Sequence, residues 1–261
     1  PKDRQYSRCG RTDSGVSAAG NVLALRLHVS EREKATLVKR VNSALPPDII
    51  VLAWAEVPDD FSARYNCKAR EYRYYFCAKG LDLTRMRKAA ALFVGRHDFK
   101  NFCKWHPKYA VSGTVRTVTH CEVLGETRIG FESLEGNSTG LSVLRCEGEG
   151  FLWHQIRLMM NMLKLVGRGE QPAAVVREML EDGAVGRYDF ANSMAAGEQL
   201  VLYHCIFEGI QWRVDEEHQN PALTLMKGFE ERLLDLKVYS AVIESFEQNT
   251  LHKELSFKAC Q

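Results

Sequence analysis

One segment, residues 151–166, is apolar on almost every side of a helix. A helix of this kind has no face for solvent and is buried in a protein core or in a membrane. This segment is too short to span a bilayer, and Arg157 and Lys164 make it too charged. The sequence therefore predicts a helix packed inside a large core, for which 261 residues with 45% hydrophobic residues are sufficient.

The patterns around this helix predict a mixture of strands and helices. Strands are predicted at 21–29, 48–57, 67–78, 114–125, 140–149 and 199–207. Further helices are predicted at 33–44, at 82–95 with Asp82 as N-cap, from Pro172 to about 181, and within 221–248. Because these elements interleave without strict β-α alternation, we predict an α+β fold with a largely antiparallel sheet that is covered on one face.

Charge is distributed unevenly along the chain. Residues 1–170 carry 27 Lys and Arg against 18 Asp and Glu, whereas residues 171–261 carry 8 against 15. This asymmetry fits a basic surface for a polyanion beside an acidic tail, and it equally fits two ordinary solvated surfaces.

The eight cysteines and eight histidines are dispersed, with no C-x-x-C or H-x-x-x-H pair. This spacing predicts neither a disulfide framework nor a metal site. It fits a reducing intracellular compartment, the nucleus or the cytoplasm.

The loop "CGRTDSGVSAAG" places one acid, Asp13, beside Arg11 among glycines and other small residues. One interpretation is a turn aspartate that bonds its own backbone. The other is a nucleophile in a tight loop that approaches a ligand, because a nearby cation stabilises the ionised carboxylate. The loop matches no phosphate-binding motif.

Two further segments carry candidate functional residues. In "AREYRYYF", Tyr72 lies between Arg70 and Arg73, which fits either a core aromatic or a platform for an unstacked base. The buried helix has one polar stripe. It is either a solvated edge of a core helix, or its N-terminal end enters a cleft where a buried arginine needs a carboxylate partner such as Asp13. The stripe comprises His154, Arg157, Asn161, Lys164 and Arg168.

These three segments together resemble the TruA family of tRNA pseudouridine synthases. The matching stretches are "GRTDSGVSA", "FSARYNCKAREYRYYF" and "GFLWHQIRLMMNMLKLVGRG", in the family's order and spacing, and the resemblance covers roughly residues 7–207. The stretches "FLWHQIR", "HDFKNFCK" and "LVLYHC" are most similar to the eukaryotic branch of the family, which acts on anticodon-arm uridines 38 and 39.

The resemblance implies a role for each candidate residue. Asp13 is then the catalytic carboxylate on a flipped-out uridine, Arg157 its ion-pair partner, and Tyr72 the residue that stacks on the base and assists removal of the C5 proton. Arg11 helps to hold the extruded nucleotide. Arg64, Arg70 and His154 join Tyr72 among the RNA-binding residues. We expect Asp13 and Arg157 to lie within about 4 Å, with Arg11 more exposed than Arg157.

The resemblance also implies an architecture and a partner. It predicts two related subdomains flanking a central catalytic cleft. The N-terminal subdomain is residues 1–60, truncated because members usually have a strand, a helix and a G-W-Q-type motif before the catalytic loop. The C-terminal subdomain is residues 61–212, and an acidic helical tail follows at 213–261. The expected partner is tRNA, with no metal, cofactor or membrane, and the family suggests a homodimer.

Two alternatives stay open. One is a tRNA-binding protein of the same fold without catalysis, which would be free to lose Asp13, Tyr72 and Arg157, all present here. The other is a carboxylate-based glycoside or nucleoside hydrolase. Such an enzyme normally requires two positioned acids, and the three segments supply one.

Overall fold

The structure is a computed structural model that describes residues 6–46, 48–125, 141–181 and 194–213. Contacts divide the chain into two compact units. The first comprises residues 1–27 and 58–209, and the second comprises residues 28–57 and 210–261. The three-part division expected from the sequence, with boundaries after residues 60 and 212, stays a prediction.

A six-stranded sheet organises the first unit. In spatial order its strands are β2 (Ser17–Ala18), β8 (Leu200–Ile206), β4 (Ala69–Cys77), β7 (Leu141–Gly148), β6 (Val115–Leu124) and β5 (Gly95–Asp98). Neighbouring strands are antiparallel except β2 and β8, which are parallel. A separate antiparallel pair joins β1 (Ser7–Arg8) to β3 (Leu23–Ala24). The predicted α+β fold with a largely antiparallel sheet is confirmed.

Helices pack on one face of this sheet. They are α3 (Leu83–Ala91), α4 (Tyr109–Ser112), α5 (Gln155–Gly167) and α6 (Ala174–Glu181), with a short 3₁₀ turn at Lys100–Phe102. The apolar sequence of α5 is explained by its position, because Met159, Met160 and Leu163 are fully buried. They belong to the same core cluster as Tyr74 and Phe76 of β4.

The other face of the sheet carries charged side chains that pair with one another. Glu71 of β4 is buried and forms ion pairs with Arg73 at 2.9 Å and Arg145 at 3.3 Å. Arg145 also contacts Glu122 at 3.2 Å and Glu147 at 3.3 Å. Because side chains alternate along a strand, this network lies opposite the apolar core. Removing one charged side chain of this network would leave the charges of its partners without a counter-ion.

In the second unit, two short helices precede an extended segment. The helices are α1 (Glu31–Lys34) and α2 (Leu37–Asn42). The Asn42 amide donates to the carbonyl of Val51 at 2.9 Å and accepts from its N–H at 2.7 Å. Trp54 and Arg213 form an isolated antiparallel bridge, and the Arg213 guanidinium lies 5.2 Å from the centre of the Trp54 ring.

Most elements predicted for the first unit are confirmed within a few residues. These are β4, α3, β6, β7, α5, α6 and β8. Asp82 caps α3 as predicted, since its carboxylate accepts a hydrogen bond from the Arg85 N–H at 3.0 Å. In the described ranges every helix is too short or too polar to cross a lipid bilayer.

Two predicted strands are wrong in extent. The strand at 21–29 is reduced to Leu23–Ala24, and the leucine side chains of its expected buried face are exposed. The strand at 48–57 retains only the bridge at Trp54. A strand needs a hydrogen-bonding partner of matching length, and among the described residues β1 supplies only two residues.

The predicted helix at 33–44 is interrupted. Thr36, at φ −120° and ψ 17°, leaves the helical region and starts α2 as its N-cap. The predicted helix within 221–248 lies outside the described residues.

We expect Gly148→Ala to destabilise the fold. A Cβ there would lie 2.6 Å from the carbonyl oxygen of Thr117 and 3.2 Å from the Phe151 ring. Such overpacking costs about 1–3 kcal/mol. Gly150→Ala is the matched control, because a Cβ at Gly150 meets nothing within 4 Å. Urea unfolding of both variants checks this, and equal midpoints would contradict it.

Candidate active site

Residues 9–20, the candidate catalytic loop, lie along β8. β2 pairs with Val201 and Leu202, and the Ala19 N–H donates to the Leu202 carbonyl at 2.9 Å. Close approach requires glycine at Gly10, where a Cβ would lie 2.5 Å from Leu202 Cδ2. Gly15 has a φ of 81°, which L side chains rarely adopt. The loop is therefore fixed against the sheet on both sides of Asp13.

The N-terminal end of α5 brings two side chains to Asp13. His154 Nε2 lies 3.4 Å from Asp13 Oδ2, and Arg157 Nη1 lies 3.7 Å from the same oxygen. The side chains of His154 and Arg157 are each 13% exposed, and that of Asp13 is 27% exposed. The predicted pairing of Asp13 with Arg157 is confirmed, across 144 residues of sequence.

His154 has an unusual backbone conformation. It is the N-cap of α5, and its φ of 65° is the only positive value of a non-glycine residue in the described ranges. Such a conformation costs about 1–3 kcal/mol and is found often at functional sites. Burial lowers the pKa of His154, the Asp13 carboxylate opposes this, and Arg157 and Lys104 add to it. The imidazole that touches Asp13 is therefore neutral near pH 7.

Arg157 is anchored from a second direction. Its Nε donates to the carbonyl oxygen of Ala195 at 2.7 Å. A Cβ added to Gly197 would lie 3.7 Å from the guanidinium carbon and 2.9 Å from the Ser14 carbonyl oxygen. The segment before β8 thus packs on both Arg157 and the catalytic loop, which fixes the ion pair.

The rest of the polar stripe on α5 passes from buried to solvated along the helix. Asn161 is buried. The Lys164 ammonium lies 5.4 Å from the centre of the Tyr74 ring, and burial lowers the pKa of Lys164. Arg168, at the end of the helix, is exposed and pairs with Glu170. The N-terminal end of the stripe therefore meets the site, as the cleft interpretation requires, whereas its C-terminal end at Arg168 is solvated.

Tyr72 lies within electrostatic range of Asp13. Its ring packs edge-on against Phe151, with ring centres 5.4 Å apart. Burial raises the pKa of Tyr72, Cys205 and Cys9 act in the same direction, Arg70 opposes them, and Asp13 adds a smaller upward contribution. The phenol is therefore protonated at neutral pH. Sequence reasoning did not single out Phe151, although it belongs to the quoted "GFLW" stretch.

The arginines predicted to bind RNA differ in their surroundings. Arg11 and Arg64 are exposed, and Arg11 is more exposed than Arg157, as predicted. Arg64 lies 5.3 Å from the ring centre of Tyr65, which is 79% exposed.

Arg70 instead clamps main-chain carbonyls. Its Nη1 donates to Glu149 at 2.5 Å and to Cys67 at 3.3 Å, and its Nη2 donates to Arg64 at 2.6 Å and to Cys9 at 3.5 Å. This geometry gives Arg70 a structural role in holding the start of the catalytic loop. Its predicted contact with RNA stays a prediction.

An exposed group of aromatic and basic side chains lies next to His154. The Trp153 ring centre is 4.9 Å from that of His154 and 6.2 Å from that of His106, and Lys104 Nζ lies 4.5 Å from the Trp153 ring centre. We call Lys104, Trp105, His106, Lys108 and Trp153 the aromatic–basic surface; all five are exposed. Sequence reasoning missed it. The stretch "KWHPKY" carried the signal, because it interleaves lysines with aromatic residues.

Three of the dispersed cysteines meet in the fold. The sulfurs of Cys9, Cys67 and Cys205 all lie within 4.8 Å of one another, and all three residues are buried. Cys121 and Cys146 form a separate buried pair, with sulfurs 3.4 Å apart. Spacing along the chain could not reveal these groups.

Together the fold and the site define a class of protein. It has an α+β domain with one arginine-paired carboxylate on a loop fixed against the sheet, together with a half-buried tyrosine and an exposed surface that suits nucleic acid. A single carboxylate of this kind can act as a nucleophile or base toward a bound nucleotide.

Comparison with known proteins gives the family. A family model described as tRNA pseudouridine synthase matches residues 89–208. A "tRNA pseudouridine synthase A" of Thermococcus kodakarensis is 36% identical over 83% of this chain and 73% of its own length. The tRNA pseudouridine(38/39) synthases of Bos taurus and Saccharomyces cerevisiae are 39% and 32% identical over 82% and 94% of this chain. The chain therefore belongs to the TruA family of tRNA pseudouridine synthases.

The family predicted from the three segments is thus confirmed. The chain spans about half the length of the mammalian relatives, 48% of the Bos taurus protein and 49% of the Homo sapiens protein. It spans 56% of the Saccharomyces cerevisiae protein.

We expect the pKa of His154 to respond to its two charged neighbours in opposite directions. In Asp13→Asn it falls further below its usual value, because a carboxylate that favours the imidazolium is gone. In Arg157→Gln it rises, because a repelling cation is gone. Histidine ring NMR against pH measures both, with His154→Gln to assign the signal. A rise in Asp13→Asn would contradict this geometry.

Proposed function

We propose that this protein converts uridine to pseudouridine in the anticodon stem-loop of tRNA, at positions 38 and 39, with Asp13 as the catalytic carboxylate. The observation that carries the proposal is the 3.7 Å contact between Asp13 and Arg157. Asp13 lies on the loop that matches the family motif, and Arg157 lies on α5. The names of the eukaryotic relatives support the positions.

The proposed reaction is an isomerisation, so it requires no other reactant. The bond between N1 and C1′ breaks, the uracil rotates, and a bond forms between C5 and C1′. The proton at C5 leaves, and N1 gains a proton, so no atom is gained or lost overall. Asp13 serves either as nucleophile at C1′ or as the base that promotes a glycal intermediate.

The surroundings of Asp13 suit both versions. The Arg157 guanidinium lies 3.7 Å from the Asp13 carboxylate. Since His154 is neutral near pH 7, its contact with Asp13 adds no second cation. Asp13 therefore faces one fixed cation, an arrangement that suits attack on, or proton removal next to, an electrophilic sugar carbon.

Base flipping is needed because C1′ and C5 cannot be reached inside a stacked helix. Extrusion of a base costs a few kcal/mol. Stacking on an aromatic ring returns about 1–3 kcal/mol. In the proposal Tyr72 provides that ring, steadied by its edge contact with Phe151, and Arg11 contacts the extruded nucleotide.

The aromatic–basic surface is the proposed site for nucleotides next to the target. Its exposed tryptophans offer faces for bases of a single-stranded loop, and its lysines lie where phosphates would pass. The surface adjoins His154, which in turn touches Asp13. This proximity suits a loop in which one nucleotide is flipped and its neighbours stay stacked.

A non-catalytic tRNA-binding protein of the same fold is the alternative. The paired Asp13 and Arg157 favour the enzyme, because binding alone does not require a partly buried carboxylate facing a polyanion. A homodimer and a reducing intracellular compartment stay predictions, which chromatography on a sizing column and imaging of the tagged protein would test.

Asp13→Asn should abolish the reaction while preserving tRNA binding. The change is nearly isosteric, and affinity depends on many phosphate contacts. Turnover is measured as tritium release from tRNA labelled at uridine C5, followed by mapping of the modified position. Tritium release by the variant would exclude the proposed chemistry. Tritium retention by the unmodified protein would favour the non-catalytic alternative.

Tyr72→Phe should keep tRNA affinity and lower turnover about 10²-fold or more, the usual contribution of proton transfer by a positioned group. The ring and its contact with Phe151 are preserved, and only the hydroxyl that relays the C5 proton is removed. Tyr72→Ala should lose activity through loss of stacking as well. Full activity of Tyr72→Phe would assign stacking as the whole role, and an active Tyr72→Ala would remove Tyr72 from the site.

Trp153→Ala should weaken tRNA binding by about 1–3 kcal/mol, the value of one stacked base. The hydrogen bonds of Trp153 with Tyr109 and Lys104 use its main chain, so the change leaves them in place. Trp212→Ala is the control, since Trp212 is also exposed but belongs to the other unit. Filter binding at fixed salt measures both, and an equal loss in the control would count against this surface.

A further inference from the structure

The three clustered thiols come from three separate segments of the first unit. Cys9 is the first residue of the catalytic loop, Cys67 precedes β4, and Cys205 lies in β8. All three are free cysteines and are 4–6% exposed. Their sulfurs lie within 4.8 Å of one another. The fold thus directs three sulfurs to one point without joining any two of them.

This spacing is close to that of a thiolate metal site. A metal–sulfur bond is about 2.3 Å for zinc, so sulfurs that share one ion are roughly 3.8–4.0 Å apart. The observed limit of 4.8 Å requires only a small contraction toward a central ion. Thiolates select soft ions, among them Zn²⁺ and Cu⁺.

The surroundings of the cluster also suit a metal centre. The Cys67 thiol donates to the main-chain carbonyl of Ala69 at 3.1 Å, a bond that would be given up when the thiol proton is lost on metal binding. The Arg70 guanidinium donates to the carbonyls of Cys9 and Cys67. Its positive charge would offset the net charge of −1 that three thiolates and one Zn²⁺ carry. Apolar neighbours of the cluster include Ala63, Phe61 and Phe207, and the Tyr72 side chain also packs against it.

We propose that Cys9, Cys67 and Cys205 bind one soft metal ion, Zn²⁺ or Cu⁺, in a three-thiolate site. Binding replaces the thiol protons, which pass to solvent, and changes no oxidation state. Cu⁺ accepts three sulfurs, whereas Zn²⁺ takes a further small ligand such as water. The ion would tie the start of the catalytic loop to β4 and β8, so its role is positional and independent of the proposed function.

The first test uses the unaltered protein. It is reduced with a phosphine, stripped of metal, and loaded without oxygen with Zn²⁺ or with Cu⁺ in separate samples. After desalting we expect one ion per chain by elemental mass spectrometry, and X-ray absorption should show sulfur neighbours at about 2.3 Å. Competition with a chelator selective for each ion identifies which one the site prefers. Retention of neither ion, or neighbours that are only nitrogen and oxygen, would overturn the proposal.

The second test assigns the ligands. Cys67→Ser and Cys205→Ser should lose the retained ion, whereas Cys77→Ser should keep it, because Cys77 is exposed at the far end of β4. Circular dichroism confirms that each variant is folded. If a cluster variant does not fold, loading the unaltered protein should still raise its unfolding temperature by about 3 °C or more. Equal metal content in Cys67→Ser and Cys77→Ser would show that the cluster is packing only.

Discussion

The arrangement of the first unit depends on one contact between distant parts of the chain, the pair of Asp13 and Arg157 at 3.7 Å. A guanidinium on an apolar helix and a carboxylate on a tight loop are both costly to bury alone, and they offset that cost only when they meet. The loop must therefore lie against the end of α5. Ala195 reinforces the contact by accepting a hydrogen bond from the Arg157 Nε at 2.7 Å.

The elements that could be predicted from sequence are those whose signal is local. Asp82 caps α3 through a bond to its own first turn, and the apolar periodicity of α5 is visible in sixteen consecutive letters. Residues 21–29 carried an equally clear alternation, yet only Leu23–Ala24 forms a strand. A strand's hydrogen bonds belong to a partner that lies elsewhere in the chain, so alternation alone cannot determine its length.

The same distinction applies to the candidate site. Asp13, Tyr72 and Arg157 could be proposed because each lies in a segment with an unusual local composition. The clamp made by Arg70 could not be predicted, since two of its four carbonyl partners, Cys9 and Glu149, lie in distant segments. The sulfur cluster could not be predicted either, because its spacing exists only after β4 and β8 have paired beside the loop.

The pairing of β4 with β8 also explains how Tyr72 comes to the same site as Asp13. The register shifts between Glu71 and Tyr72, so that Glu71 pairs with His204 and Tyr72 with Leu202, which leaves Tyr203 as an extra residue. Bulges of this kind turn a side chain to a new direction and occur often beside active sites.

Contacts on both sides hold this bulge. The Arg73 guanidinium lies 3.4 Å from the Tyr203 ring centre and also pairs with Glu71. A Cβ at Gly20 would lie 2.8 Å from the Tyr203 carbonyl oxygen, so the end of the catalytic loop crosses β8 at the bulge itself. The charged face of the sheet thus holds the bulge in β8, and the loop that carries Asp13 is fitted to that same irregularity. Tyr72, on the neighbouring strand, keeps a regular pairing with Cys146 of β7. The bulge therefore positions the loop of Asp13, and the regular β4–β7 ladder positions Tyr72.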